Sequence, residues 1–408
     1  MLKRLKHAQF DLGWIAAAVL PLLGILPTLG HGVIDAADGP YHVHRIYAMS
    51  LMLRDGQLWP RWIPYFHIGF GYPIFNFYPS GVSYLGGILA LVGLSPAAAF
   101  NIVAALAWII GGLGMYALAR EVFQNAAHAH RQQPKKGWRS WFTPIPPPPF
   151  PRSAEKGGAN PLTEAESPDS ASSAPAAILA VMLWAYAPSR FHEVWTQGGL
   201  AQMMSAALVP WLCYGLIVAA RRPSRRALLG IALPLAGIVL THVPIAFITA
   251  LITLPAAVMI PAWITRREPR EFPRRFGVVI AGLALGAALA AIFVLPMALE
   301  LRYIRAADDD PETIAFLSSR FVQLSELFAQ PRPVDLTDLT FQQPITLGLT
   351  GALLGLIGLI ALVIRRRFIL AALLALLVGL VVFMMLDDSL DVWLNIPYFR
   401  QIRFPERL

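Results

Sequence analysis

Cysteine is almost absent, because the 408 residues contain only Cys213, which lies within an apolar run. A lone cysteine excludes a disulfide within the chain and any zinc site built on cysteine thiolates. Charge is also scarce: 14% of the residues are charged, 56% are hydrophobic, and the mean hydropathy is +0.57. The apolar residues form runs of about twenty, the length that crosses about 30 Å of hydrocarbon. The composition therefore predicts an all-α, polytopic membrane protein.

The net charge of +9 does not indicate nucleic-acid binding, because of where the basic residues lie. They gather in short loops between apolar runs, at 221–226, 266–275 and 365–367, and these loops alternate with loops rich in acid. The positive-inside rule places basic loops in the cytoplasm. With the N-terminus on the same side, the pattern predicts about nine spans.

Two apolar blocks, at 81–94 and 96–119, lie where this topology permits one crossing. As a helix, residues 81–94 would rise only about 21 Å, which is less than the hydrocarbon core. We interpret this block as an interfacial or re-entrant helix and 96–119 as the span. The run 14–30 is interpreted as the first span, because no clear cleavage site of a signal peptide follows it.

The chain accordingly divides into three regions. Residues 1–120 hold the first two spans, with an outer loop and juxtamembrane helices. Residues 121–175 are rich in Pro, Ser and Ala and lack apolar periodicity, which predicts a disordered cytoplasmic insert. The proline run in this insert is either a linker or a site for a protein partner. Residues 176–408 hold the remaining spans, an outer loop at 300–343 and an outer C-terminal tail.

Ionisable residues gather in the first outer loop, in "IDAADGPYHVHRIYAMSLMLRDGQLWPRW", residues 34–62. At roughly 2.5–3.5 kcal/mol per charge at mid-membrane, this stretch cannot lie in hydrocarbon. A helix is predicted from Pro40, and at about 100° per residue it places Asp38, His42 and Arg45 in one arc. His44 points away, so the two histidines do not converge on a metal. Asp38 is either a helix cap or a functional carboxylate.

The same predicted helix has an apolar side, which favours a position on the membrane surface. The passage that follows, "GFGYPIFNFYPSG" at 69–81, is too irregular for a span. Non-helical backbone near membrane depth is stable only when it is buried in protein or faces an aqueous cavity. This passage therefore indicates either a cavity beside Asp38 or an aromatic belt on the bilayer surface. The apolar side consists of Val43, Ile46, Tyr47, Leu51 and Met52.

Taken together, several segments resemble the bacterial integral-membrane family labelled 6-pyruvoyl-tetrahydropterin synthase-related, which looks like a branch of the GT-C glycosyltransferase superfamily. The resemblance implies a GT-C-like bundle in a bacterial plasma membrane. It also implies transfer of a sugar from a polyprenyl-phosphate donor to an acceptor on the outer face. The segments are "DGPYHVHRIYAMSLMLRDGQLWPRW", "GFGYPIFNFYPSG", "MYALAR", "AYAPSRFHEVWTQGGLAQ", "TH", "FVLPMALE" and "IRFPERL".

Matched to the family's motifs, Asp38 takes the place of a catalytic base that acts on the acceptor hydroxyl. In this mechanism Arg45 and Arg403 would stabilise the phosphate leaving group. The chain departs from the family at two positions. Where the family commonly has an arginine and then a glutamate, this chain has Gln197 and Gln202.

The remaining candidates for substrate binding are ionisable residues on the predicted outer side. Such residues are functional candidates by default, with surface or helix-capping roles as the alternatives. Arginines suit phosphate through bidentate contacts. A divalent cation that bridges Asp35 and Asp38 to the phosphate is a further hypothesis, and no metal ligand is assigned. The full set of binding candidates is Asp35, His42, Arg45, Glu193, His242, Glu300, Arg403 and Arg407.

Two other classes of protein stay open. A transporter or lipid flippase would need ionisable residues along a midplane path or broken helices in paired repeats, whereas here the charges gather at the outer surface. A non-catalytic membrane subunit is favoured by the uncharged Gln197 and Gln202.

Overall fold

A computed structural model describes residues 11–30, 32, 36–131, 168–303, 311–330, 346–396, 399 and 405. Within these residues the regular secondary structure is helical, apart from one isolated antiparallel bridge between Ile63 and Tyr72. The α-helices are α1 Leu12–Leu23, α2 Gly39–Arg54, α3 Ile74–Phe77, α4 Gly81–Leu91, α5 Pro96–Arg131, α6 Pro168–Ala185, α7 Pro188–Phe191, α8 Leu200–Arg221, α9 Arg225–Thr241, α10 Val243–Thr265, α11 Phe272–Glu300, α12 Pro311–Ser318, α13 Leu349–Ile364, α14 Phe368–Met385 and α15 Leu390–Asn395.

Five helical segments are long and apolar enough to cross a membrane, so the chain is a helical membrane protein. Four shorter apolar helices accompany them. The long segments are Pro96–Gln124, Leu200–Arg221, Val243–Thr265, Pro269–Tyr303 and Phe368–Met385. The shorter helices are Leu12–Leu23, Gly81–Leu91, Ser173–Ala185 and Leu349–Ile364.

The predicted first span, 14–30, is two helical pieces in the structure. Helix α1 ends at Leu23, two residues after Pro21, and a 3₁₀ segment covers Leu26–Gly30. Pro27 follows closely, and a proline cannot donate the backbone hydrogen bond that would continue an α-helix. The α-helical part of this segment is therefore shorter than the apolar run in the sequence.

Polar contacts bring the basic loops 221–226 and 266–275 together at one end of the bundle. Tyr116 and Arg120 of α5 donate hydrogen bonds to Asp11, just before α1. The Glu121 carboxylate accepts hydrogen bonds from Arg221 at 3.0 Å and from Arg222 at 2.6 Å. Arg275, near the start of α11, donates to the carbonyl oxygens of residues 220 and 221 at 2.8 and 2.7 Å. We call this the Arg221 end, and it joins loops that charge had assigned to one side.

The opposite end of the same helices carries the candidate site, and we call it the Asp38 end. Asn101, near the start of α5, donates to the carbonyl oxygen of Thr28 at 3.1 Å. Gln197, before α8, contacts Asp38, and Glu300, at the end of α11, contacts the segment between α2 and α4. For α5, α8 and α11 the charge pattern therefore agrees with the structure, because each of these helices runs from the Arg221 end to the Asp38 end.

Small residues allow the central helices to approach closely. A Cβ atom on Gly215 of α8 would lie 2.2 Å from the carbonyl oxygen of Gly230 in α9. A Cβ on Gly112 of α5 would lie 2.2 Å from the carbonyl oxygen of Ala17 in α1. Packing of this kind is typical of membrane helices, where close backbone contact takes the place of a hydrophobic driving force.

Helices α2 and α4 pack together at the Asp38 end. Helix α4 has 11 residues, a rise of about 16 Å, which agrees with its interpretation as too short to span. Its glycines accept the apolar side of α2, where Ile46 and Met52 are buried. The prediction that this apolar side lies on the membrane is therefore wrong for these two residues, whereas Tyr47 is exposed.

The ends of the predicted disordered insert, 121–175, are helical. Helix α5 continues to Arg131 and α6 begins at Pro168. The sequence here is rich in alanine, a strong helix former, and proline is tolerated in the first helical turn. The predicted disorder of residues 132–167 lies outside the described part of the chain.

Candidate functional site

Asp38 precedes α2, as predicted, but its carboxylate does not cap the helix. No hydrogen bond joins this side chain to the amides of the first turn. Instead, Asp38 Oδ2 accepts a hydrogen bond from Gln197 Nε2 at 3.3 Å, and the Asp38 amide donates to the Gln197 carbonyl oxygen at 2.6 Å. The side chain is partly exposed. Asp38 is therefore the N-cap residue of α2 by position, but its carboxylate does not cap the helix.

A π-helical turn, His192–Gln197, holds the segment that contains Asp38. The Ala37 amide donates to the Thr196 carbonyl oxygen at 3.2 Å, parallel to the backbone bond from Asp38. Single π-helical turns are rare in proteins, but those that occur are often found at functional sites. The turn ends at Gly198, whose φ of +65° favours glycine. A Cβ there would lie 2.8 Å from the Gly39 nitrogen, so this close approach also requires a glycine.

A row of buried polar contacts extends from Asp38 into the protein. Gln197 Nε2 also donates to Gln202 Oε1 at 3.1 Å, and Gln202 Nε2 donates to Glu193 Oε1 at 3.1 Å. Glu193 Oε2 accepts from Arg190 at 2.8 Å. Because ionised carboxylates only accept hydrogen bonds, the acids at either side of the glutamines orient both amides. The predicted candidate Glu193 thus joins Asp38 through Gln197 and Gln202.

His42 lies one turn after Asp38 and is 2% exposed. Its ring lies 6.3 Å from that of Tyr78 and 6.4 Å from that of Phe100. Among the described residues, its Nδ1 atom has no hydrogen-bond partner. Burial, followed by electrostatic contributions from Arg45 and His242, lowers the pKa of His42 to about 3. The imidazole is therefore neutral at physiological pH.

The predicted orientation of His44 agrees with the structure, and Arg45 contacts an aromatic ring. His44 is exposed, on a different face from His42. Arg45 places its guanidinium 4.1 Å from the centroid of the Tyr78 ring, a cation–π contact. Tyr78 belongs to the irregular passage 69–81, so this part of the passage contributes to the wall beside the candidate site.

His242 lies between α9 and α10, close enough to His42 to contribute to the lowering of the pKa of His42. His242 Nδ1 accepts a hydrogen bond from the Ile245 amide at 3.3 Å, which makes His242 the N-cap of α10. Of the alternatives for His242, the structure therefore shows a helix-capping role. Its position near His42 also brings it to the candidate site.

Glu300 belongs to a second polar cluster at the same end of the bundle. Its carboxylate accepts from Arg61 at 3.0 Å and from Asn76 Nδ2 at 2.8 Å, and Arg61 also donates to Asn76 Oδ1 at 3.2 Å. The ion pair is about half exposed, and Asn76 is buried. Glu300 therefore ties the end of α11 to the segment that follows α2, a role that the sequence did not predict.

Three predicted site residues, Asp35, Arg403 and Arg407, lie outside the described residues. The hypothesis of a cation between Asp35 and Asp38 is consequently untested. In the described ranges, no group of three or more His, Cys, Asp or Glu side chains is arranged to hold a metal ion.

Sequence reasoning did not include Arg190, Gln197 and Gln202 among the site residues. The signal was present in "RFHEVWTQGGLAQ", where two of the four residues between the glutamines are glycines and three ionisable residues precede them. Only the π-helical turn brings these side chains into one row. The fold and the site together define a polytopic helical membrane protein with a polar site at one end of its bundle. No protein-family model, curated protein or solved structure matches the chain.

Proposed function

We propose that this protein is a GT-C-type membrane glycosyltransferase that transfers a sugar from a polyprenyl-phosphate donor to an acceptor on the outer face of a bacterial plasma membrane. In this proposal the chain crosses the membrane about nine times: the five longer segments span it, and so do the shorter helices α1, α6, α9 and α13. The N-terminus and the Arg221 end lie in the cytoplasm, and the Asp38 end lies outside.

The observation that supports this proposal best is the state of the Asp38 carboxylate. It stands at the start of a helix and yet is not used as a cap, and the Gln197 amide orients it from one side. Its partial exposure leaves room for an acceptor hydroxyl. A positioned carboxylate within reach of a hydroxyl is the requirement for general-base catalysis.

The chemistry is a single inverting displacement. As the acceptor oxygen attacks the anomeric carbon of the sugar, Asp38 removes the hydroxyl proton, and the bond from that carbon to the lipid phosphate oxygen breaks. The phosphate leaves with the bonding electron pair. Arg45, next to the site on α2, stabilises the negative charge that develops on this leaving group.

The distribution of charge favours an enzyme over a transporter. Asp38, Arg45, Glu193 and His242 all lie at one end of the bundle, whereas a transport path needs such groups near the midplane. A non-catalytic membrane subunit is the second candidate, because the row between Asp38 and Glu193 runs through uncharged Gln197 and Gln202.

The test is the release of polyprenyl phosphate from a panel of polyprenyl-phosphate sugars by the purified protein. We expect Asp38→Asn to lower the rate at least about 100-fold, as loss of a general base does. Asp55→Asn is the matched control, since Asp55 is an exposed aspartate at the other end of α2, and we expect its rate to stay within about twofold of the wild type. Unchanged release by Asp38→Asn would contradict the assignment.

Native mass spectrometry separates carrier binding from chemistry. A polyprenyl phosphate that co-purifies with the wild type should remain on Asp38→Asn and be lost from Arg45→Ala. A folded wild-type protein that carries no such lipid and releases none from the panel would favour the subunit interpretation.

A further inference from the structure

The segment 62–72, between α2 and α3, exposes an unusual apolar tip. Ile68 is fully exposed and Phe70 is 85% exposed. The sequence "WIPYFHIGFGY" contains no Asp, Glu, Lys or Arg, and six of its eleven residues are aromatic or histidine. We call this segment the aromatic loop. A fully exposed isoleucine and phenylalanine side by side are unfavourable in water, so the tip requires an explanation.

The aromatic loop is held in shape by its own hydrogen bonds. Ile63 and Tyr72 exchange backbone hydrogen bonds of 2.9 and 3.0 Å, and the Gly71 amide donates to the Phe66 carbonyl oxygen at 2.9 Å. The rings of His67 and Tyr72 lie 4.7 Å apart. The two halves of the loop are therefore joined at the base and nearer the tip.

The backbone at the tip adopts conformations that these residues seldom take. His67 has φ +51° and Ile68 has φ +59°. Left-handed backbone is uncommon for any residue except glycine and is an outlier for β-branched isoleucine. Such strain persists where the surrounding structure imposes it, and it is concentrated at sites of function. Here the strain directs an isoleucine side chain outward.

The base of the aromatic loop is part of the protein core. Ile63 is fully buried and packs in a cluster with Met49, Met52 and Phe75. The base of the loop is thus anchored against α2, the helix that begins beside Asp38.

Neighbouring elements place the aromatic loop beside a lipid-facing surface. Arg61, directly before the loop, pairs with Glu300 at the end of α11. Leu299, the residue before Glu300, is 70% exposed on a segment long and apolar enough to span a membrane. An exposed leucine on such a helix faces lipid. The loop therefore begins where a lipid-facing helix face ends.

We propose that the aromatic loop is a preformed membrane anchor whose tip, Ile68 and Phe70, inserts into the bilayer leaflet at the Asp38 end. Aromatic rings flanking the tip suit the boundary between headgroups and hydrocarbon, where Trp and Tyr are enriched. The absence of charge allows this insertion without desolvation of an ion. The anchor holds α2 at the membrane surface, and this role does not depend on the proposed sugar transfer.

The test is the depth of a nitroxide label at position 68. A Cys213→Ala background removes the single cysteine, and Ile68→Cys introduces the label in nanodiscs of phosphatidylethanolamine and phosphatidylglycerol. Power saturation then compares the accessibility of the label to oxygen and to a water-soluble nickel complex. His44→Cys, at an exposed position of α2, is the aqueous reference, and Leu376→Cys, at an exposed position of α14, is the lipid reference.

We expect the label at position 68 to be more accessible to oxygen than to nickel, at a depth between the two references. A label at position 70, introduced by Phe70→Cys where the backbone is unstrained, should report the same and guards against a folding defect at 68. A response like that of His44→Cys would mean that the tip projects into water and would overturn the proposal. Protection from both reagents would also overturn it, because the tip would then be covered by protein.

Discussion

The contact between Gly198 and Gly39 determines how the π-helical turn meets Asp38, and replacing Gly198 by alanine tests it. Two costs are expected. An alanine at φ +65° costs roughly 1–2 kcal/mol. The new methyl would also lie 2.8 Å from the Gly39 nitrogen and 3.0 Å from its Cα. Both are backbone atoms, so a change of side-chain rotamer cannot relieve the clash. Overpacking of this kind costs about 1–3 kcal/mol more.

Gly56→Ala is the matched control for Gly198→Ala. Gly56 has φ +82°, but a Cβ there would meet no atom within 4 Å, so this variant carries the conformational cost alone. The assay is the apparent free energy of unfolding in an SDS titration of mixed micelles. We expect a loss of roughly 2–5 kcal/mol for Gly198→Ala against roughly 1–2 kcal/mol for Gly56→Ala. Equal losses would refute the argument that the Asp38 segment is held rigidly against the turn.

The same substitution bears on the proposed chemistry. If the backbone near Gly39 moves to accept the methyl, the distance from Gln197 Nε2 to the Asp38 carboxylate changes as well. A shift of about 1 Å in a catalytic group lowers a rate by about 100-fold. Sugar transfer by Gly198→Ala should therefore fall much further than transfer by Gly56→Ala.

Two further predictions concern stability. Burial near Arg45 and His242 lowers the pKa of His42 from 6.5 to about 3. Below pH 6.5 the unfolded chain therefore gains a proton at His42 that the folded protein does not bind, so the free energy of unfolding falls as the pH is lowered. Between pH 6.5 and 5 the free energy of unfolding of the wild type should fall by at most about 1.4 kcal/mol per pH unit more than that of His42→Gln. The same pH dependence of this free energy for both proteins, measured by SDS titration, would contradict the argument. Glu121→Gln leaves the partly buried Arg221 without its anionic partner, and a loss of about 2–4 kcal/mol is expected in the same titration; a loss below about 0.5 kcal/mol would show that water already screens the pair.

Much of the architecture could be predicted because membrane insertion depends on local composition. The span Pro96–Gln124 and the short helix Gly81–Leu91 agree with the interpretation of two neighbouring apolar blocks. The alternation of basic and acidic loops also agrees with the two ends of α5, α8 and α11 in the structure. These properties depend on runs of residues and tolerate an error of a few positions.

Sequence patterns were less informative about contacts across the chain. The apolar side of α2 has the spacing of a membrane-surface helix, but Ile46 and Met52 instead pack inside the protein. The passage 69–81 suited a cavity wall or an aromatic belt. In the structure its first part is exposed at Phe70, whereas its later part is inside the protein, where Phe75 is buried and Tyr78 contacts Arg45. Periodicity shows that a face is apolar but does not identify what covers it.

By itself, the sequence determined the class of the protein, the grouping of its loops and the arc of α2 that joins Asp38 to His42, because hydropathy, charge and helical periodicity act over one segment at a time. Only the tertiary structure decided what Asp38 contacts. Its partner Gln197 lies 159 residues away, and the π-helical turn that aims the Gln197 amide depends on a close backbone approach at Gly198. Long-range pairing of this kind is set by the packing of many helices at once, and no local pattern carries it.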